Sequence, residues 1–284
     1  MGVGSFIPQV WSAQVLGDLL DSLVYGQVAN RDYQGEITQA GDVVKINEIG
    51  DITIRDYTRN STSALTLEYL SDAQKELKVD QQKYFAFEVD DVDAAQARGN
   101  YMTEAMRKAA WGLGNAIDEY IAAMHSQAGI TLGTTAAGKH VTSSNVTKYI
   151  AEIGSRLDAA NVPTMGRWIV GPPWFVMALY AAGVNKDTDN SRALQMGPGY
   201  YAQFMGFNIF SSNNVVNGAY TDGAKIMAGY SGTISLAVQI LNTEAFRSTD
   251  RFTDVVRGLA VFGAKVVRPT TLYCLSADYD AETT

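Results

Sequence analysis

The spacing of apolar positions changes period several times along this chain, and each change marks an element. Residues 1–36 read as an arm followed by a short amphipathic helix, because Trp11, Val15, Leu19, Leu20 and Leu23 recur at helical spacing. From Val43 to Tyr57 the segment VVKINEIGDITIRDY alternates with period two, which predicts a strand, a turn at Gly50-Asp51 and a second strand. A polar stretch follows before alternation returns through LKVDQQKYFAFEV, so the whole predicts a long hairpin. Its distal part, roughly residues 47–78, has too few apolar residues to own a core. Since an isolated two-stranded hairpin is marginal in water, this one must pack on another subunit or fold back on its own domain.

From Asp93 to Ala128 the period becomes helical. Met102, Met106, Ala109, Leu113, Ile117, Tyr120 and Met124 draw one apolar stripe. At ~1.5 Å per residue such a helix runs roughly 50 Å, long enough to act as a spine. Gly112 and Gly114 each cost about 1 kcal/mol there relative to alanine, so they mark a bend or a close backbone contact. The preceding strand places Tyr84, Ala86 and Glu88 on one face and Phe85, Phe87 and Val89 on the other. Three aspartates, Asp90, Asp91 and Asp93, stand where strand gives way to helix. A calcium loop of EF-hand type would need a glycine between Asp90 and Gln96, and none is present. The carboxylates are instead read as a helix cap, Asp91 or Asp93, with neighbours meeting the positive helix end.

Residues 129–144 read as a small-residue loop, closed by Ser143 or Ser144 as the cap of the next helix; Ser144 is the chosen position. That helix carries Val146, Ile150, Ile153 and Leu157 on one face, and Pro163 ends it. RWIV predicts a short buried strand, and GPPWFVMALYAAG predicts a helix from Pro173 to about Gly183. The strand GFNIF, the turn SSNN and the strand KIMAGY continue an α/β domain over residues 145–240. Two strand-like runs in residues 255–275 close the fold, and the acidic end SADYDAETT reads as a mobile tail.

Composition narrows the function. The chain has 284 residues, 46% of them apolar, which is enough for a substantial core. Its formal charge of -8 and the lack of any basic run argue against a protein that grips phosphates over a broad surface. Cys274 is the single cysteine, so neither a disulfide nor a cysteine-based zinc site can form within one chain. Only His125 and His140 are present, neither with a metal-type partner nearby in sequence. No Walker-type loop, dinucleotide fingerprint or nucleophile elbow occurs. The fifteen tyrosines lack interleaved basic residues and suit protein interfaces better than nucleic-acid stacking. The reading is therefore non-enzymatic, with no cofactor and no metal. An acidic active site using the aspartates with His125 is the competing enzymatic reading.

The segments FIPQVWSAQVLGDL, GDVVKINEIGDITIRDY, LKVDQQKYFAFEVDDVDAAQ and GLAVFGAKVVRP, in this order and spacing, resemble the major capsid protein of tailed bacteriophages. The resemblance spans nearly the whole chain. It implies an α+β, HK97-like capsid fold: an N-terminal arm (1–36), an extended β-hairpin loop (37–83), a peripheral domain with the spine helix (84–144 and 241–284) and an axial α/β domain (145–240). It further implies hexamers and pentamers closing an icosahedral head in the virion, assembled in the host cytoplasm around loosely held double-stranded DNA. A separate scaffolding protein and a portal are the expected partners, with room for a decoration protein and none for a membrane. Phe6, Trp11, Ile52, Ile54, Tyr57, Leu67 and Tyr69, on the arm and the hairpin, are the residues expected at contacts between subunits. An encapsulin-like bacterial compartment is the alternative use of the same fold.

Overall fold

The computed structural model describes residues 23–32, 43–49, 53–56, 72–90, 101–134, 137–184, 196–221, 223–247 and 253–280. Chain order runs through a single helical turn α1 (Tyr25–Val28), β1 (Val43–Ile49), β2 (Asp72–Lys78), β3 (Gln81–Asp90), the long helix α2 (Tyr101–Ala122), β4 (Ile130–Leu132) and β5 (Lys139–Val141). Then come α3 (Val146–Ala159), β6 (Arg167–Gly171), α4 (Pro173–Ala181), β7 (Tyr200–Phe204), β8 (Phe207–Ser211), β9 (Ala224–Tyr230), β10 (Ile234–Arg247), β11 (Thr253–Val266) and β12 (Tyr273–Tyr279). Among the described residues these strands form three sheets. β1 pairs with β2; β10, β11 and β3 form a three-stranded sheet; and the third sheet runs β4-β12-β9-β6-β8-β7, with β5 also against β12.

The third sheet is mixed. β6 runs parallel to β8 and antiparallel to β9, and all five β6 residues are buried. A strand buried on both faces needs apolar cover on each side. Trp174, Phe175, Ala178 and Leu179 of α4, and Val146, Ile150, Ile153 and Leu157 of α3, join the same buried cluster. Both helices follow the predicted stripes. α4 begins at Pro173, whose missing N–H costs nothing at that position, and the chain leaves it through Gly183 at φ 86°.

Several expectations are corrected. Ser144 is not the N-cap of α3: Asn145 holds that position, and the Ser144 hydroxyl meets Thr142 Oγ1 at 2.9 Å. The Asn145 amide points backward, accepting from Thr142 N–H at 2.8 Å and donating to the His140 carbonyl at 3.0 Å, so it ties down the preceding turn. α3 ends before Pro163, where Asn161 adopts φ 54°. The supposed loop at 129–144 contains β4 and β5, both parallel to β12. The supposed tail supplies Ser276 to Tyr279 to β12, with Ala277 fully buried. A boundary at residue 240 cuts through β10, and β12 pairs with β9 in the α/β sheet rather than with the three-stranded one. Long-range pairing chooses strand partners, and hydropathy along the chain does not reveal it.

α2 runs unbroken through Gly112 and Gly114. Its buried face is Met106, Ala110, Leu113, Ile117, Ile121 and, unexpectedly, Asp118, whereas Ala109 and Tyr120 are only half-buried. A Cβ at Gly112 would meet nothing within 4 Å. Gly112→Ala is therefore expected to raise subunit stability by ~0.5–1 kcal/mol, read as a higher urea midpoint. A lower midpoint would refute a regular, open helix surface there.

Candidate assembly surfaces and the N-terminal anchor

The hairpin is paired differently from its local pattern. Val43 faces Lys78 and Ile49 faces Asp72, while Thr53–Asp56, which alternation assigned to a strand, carry no strand. Period-two alternation makes a strand but does not name its partner. The base of the hairpin packs on its own chain: Ile46, Leu77 and Val79 are buried with Ala237, Val261 and Val267 of the β10–β11 side. Close approach is possible because residue 263 is glycine; a Cβ there would overlap the Lys78 carbonyl oxygen and lie 2.9 Å from Val79 Cα. Lys75 also donates its ammonium to the Val267 carbonyl. Beyond the paired region the character reverses. Ile54 is 95% exposed, an apolar side chain that this subunit leaves in water.

Of the other residues expected at contacts, Phe6, Trp11, Ile52, Tyr57, Leu67 and Tyr69 lie outside the described residues, as do the cap candidates Asp91 and Asp93. Two aromatic side chains that sequence reading missed are more exposed than their size favours: Tyr84 at 79% and Trp111 at 64%. Tyr84 lies on the strand face opposite Phe85 and Phe87, which stack at 6.3 Å. Trp111 lies off the predicted stripe of α2, so its position on the helical wheel was the available signal.

The described residues offer little to chemistry. No three His, Cys, Asp or Glu side chains among them come together as a metal site requires. His125 places Nδ1 3.1 Å from the Ala122 carbonyl, in the 3-10 turn that follows α2. Burial pushes the Cys274 thiol up to about 11, so it stays protonated and unreactive. No helix among the described residues is long and apolar enough to cross a membrane.

The electrostatic feature that stands out is Asp118. Its carboxylate is 2% exposed in the buried face of α2 and reaches the N-terminal segment. Oδ2 accepts from Val24 N–H at 2.8 Å and Oδ1 from Gly26 N–H at 3.2 Å. Burial raises its carboxyl to about 6, with backbone N–H groups and Arg31 pulling the other way. A lone aspartate on an apolar stripe gives no sequence signal of a partner more than ninety residues away.

Comparison with known proteins places this architecture. A family model described as phage capsid protein matches residues 73–275. No curated protein matches the sequence. A structure from Mycobacterium phage Che8 is similar at 29% identity and TM-score 0.67, covering 89% of this chain and 90% of that one. The capsid structure of the cyanophage P-SCSP1u has TM-score 0.66 at 14% identity, covering 91% and 89%. A virus-like particle from Pyrococcus furiosus shares the fold at TM-score 0.59 and 9% identity, covering 95% and 99%. With its mixed sheet, long helix, β1–β2 pair and a family match over most of its length, this chain belongs to the phage capsid protein family and is a structural component of the capsid.

Proposed function

We propose that this chain is the major capsid subunit of a tailed phage, building hexamers and pentamers that close an icosahedral head around double-stranded DNA. In this reading α2 with the β10-β11-β3 sheet is the peripheral part and the mixed sheet with α3 and α4 is the axial part. The hairpin reaches a neighbouring subunit. The observation that carries this is Ile54: the hairpin base has a core on its own chain, while an apolar residue beyond it stands 95% exposed. Large apolar exposure at the end of an anchored projection suits a contact that only a second copy completes. A net charge of -8 fits an inner surface that confines DNA without gripping it.

Ile54→Asp tests the reading. Subunit stability should change by less than about 0.5 kcal/mol, because the residue contacts little within the chain. Megadalton particles, followed by light scattering and electron microscopy, should be lost. Wild-type protein that remains monomeric at high concentration with scaffolding protein supplied would overturn the proposal. The encapsulin-like alternative shares the fold seen in the Pyrococcus furiosus particle. It predicts particles purified from their source that carry a protein cargo and no genome.

A further inference from the structure

Residues 23–31 link the long helix α2 to strand β10. Leu23, Tyr25, Val28 and Ala29 are buried in the main core. At one end, Val24, Tyr25 and Gly26 direct backbone N–H groups at the Asp118 carboxylate. These are donors that a helical turn cannot satisfy internally, and Val24 has no side-chain cap of its own. Asp118 is thus a cap supplied from α2. At the other end, Asn30 donates to the Ile234 carbonyl and accepts from Leu236 N–H of β10, each at 2.8 Å. Arg31 folds back to donate to the Gly26 carbonyl at 3.1 and 2.8 Å. Asp118 is the one carboxylate among the described buried residues.

We propose that residues 23–31 form a strap that docks on α2 and β10 and undocks as a unit, with Asp118 as its anchor. Protons govern the balance. Burial under the strap raises the Asp118 carboxyl from 3.8 to about 6, and undocking returns it to water and toward its ordinary value. The docked state therefore binds a proton more tightly, so acid favours docking and rising pH through about 6 weakens it. The other ionisable groups facing the site are Arg31 and Tyr25 on the strap itself. Cys274 of β12 faces Tyr25, and its own upward shift keeps it neutral throughout this range. β10 meets the strap through Ile234, Ser235 and Leu236, which do not titrate. On the shell reading, the strap governs where the N-terminal arm leaves the subunit. Only that consequence rests on the shell reading; the docking does not.

Hydrogen exchange on the purified full chain, corrected for intrinsic rates, tests the strap. Between about pH 7.5 and about pH 5, exchange at residues 24–29 should slow about tenfold, as expected for a site whose pKa rises on docking from near 4 to about 6. Amides of Ile226 and Leu275 in the central sheet should not follow. Asp118→Asn should abolish the pH dependence. Arg31→Gln removes a charge that favours the carboxylate, so it should move the midpoint to higher pH. A flat wild-type profile, a profile unchanged in Asp118→Asn, or an Arg31→Gln shift to lower pH would each overturn the strap. Light scattering on the same samples separates the two readings. Shells with a flat strap profile overturn the strap alone, and a pH-dependent strap in a protein that never assembles overturns the shell alone.

Discussion

Gly263→Ala is expected to destabilise the subunit by ~3 kcal/mol or more, among the larger effects of any single methyl group in this chain. The added Cβ would overlap the Lys78 carbonyl oxygen and crowd Val79 Cα, and both are backbone, so no side-chain rotation relieves the clash. The connection from β2 to β3 must lift off β11. Ile46, Leu77 and Val79 then lose cover from Ala237, Val261 and Val267. Burying a large aliphatic side chain is worth about 1.5–3 kcal/mol, so partial loss at three positions supports the magnitude. Urea unfolding measures the loss. Faster hydrogen exchange confined to β1, β2 and the β2–β3 connection would locate it. If the hairpin tip contacts a neighbour, assembly should fall with it, because the tip's direction is set at this base. A stability change under about 0.5 kcal/mol would show that the base is not seated on β11.

Arg167→Met is the second large effect, expected at about 2–3 kcal/mol. Arg167 is 4% exposed at the start of β6. Its guanidinium donates to the Pro163 carbonyl at 2.9 Å, the Val162 carbonyl at 2.6 Å and Asp158 Oδ1 at 2.7 Å, and it lies 5.8 Å from the centre of the Phe207 ring. Methionine keeps the apolar stem but leaves two carbonyls without a donor. The ion pair is the smaller part, since the Asp158 side chain is 61% exposed and water screens it. Asp158→Ala should therefore cost under about 1 kcal/mol in the same urea experiment. Equal losses in the two variants would mean that the charge pair, rather than the carbonyls, holds the α3–β6 connection.

The elements whose partners are close in sequence were readable. The α3 stripe, the all-buried strand at Arg167–Gly171, the Pro173 start and Gly183 exit of α4, and the inward Phe85 and Phe87 follow from period and turn chemistry alone. Where a partner is distant the reading failed or stopped short. Val43–Ile49 was recognised as a strand but given the wrong mate, because alternation is satisfied equally by any strand of matching face. β12 falls in the 241–284 segment grouped with the spine helix, yet it pairs with β9 on one side and with β4 and β5 on the other, partners close in space and distant in sequence. Ser144 failed as a cap because its neighbour Asn145 held that position and turned its side chain toward the preceding turn.

The same division holds for function. The resemblance carried by four segments in their order and spacing pointed to a capsid protein, while the strands, the long helix and the α/β elements are each written in local hydropathy. Local pattern also put Tyr84 on the face opposite Phe85 and Phe87. Only the tertiary structure decided that the hairpin base is held by its own subunit through Gly263, and that Asp118 turns inward to cap a segment from the start of the chain. Both depend on backbone approach between segments far apart in sequence. A glycine chosen for contact and a buried aspartate look, residue by residue, like a flexible position and a solvated charge; only the packed backbone around them distinguishes the cases.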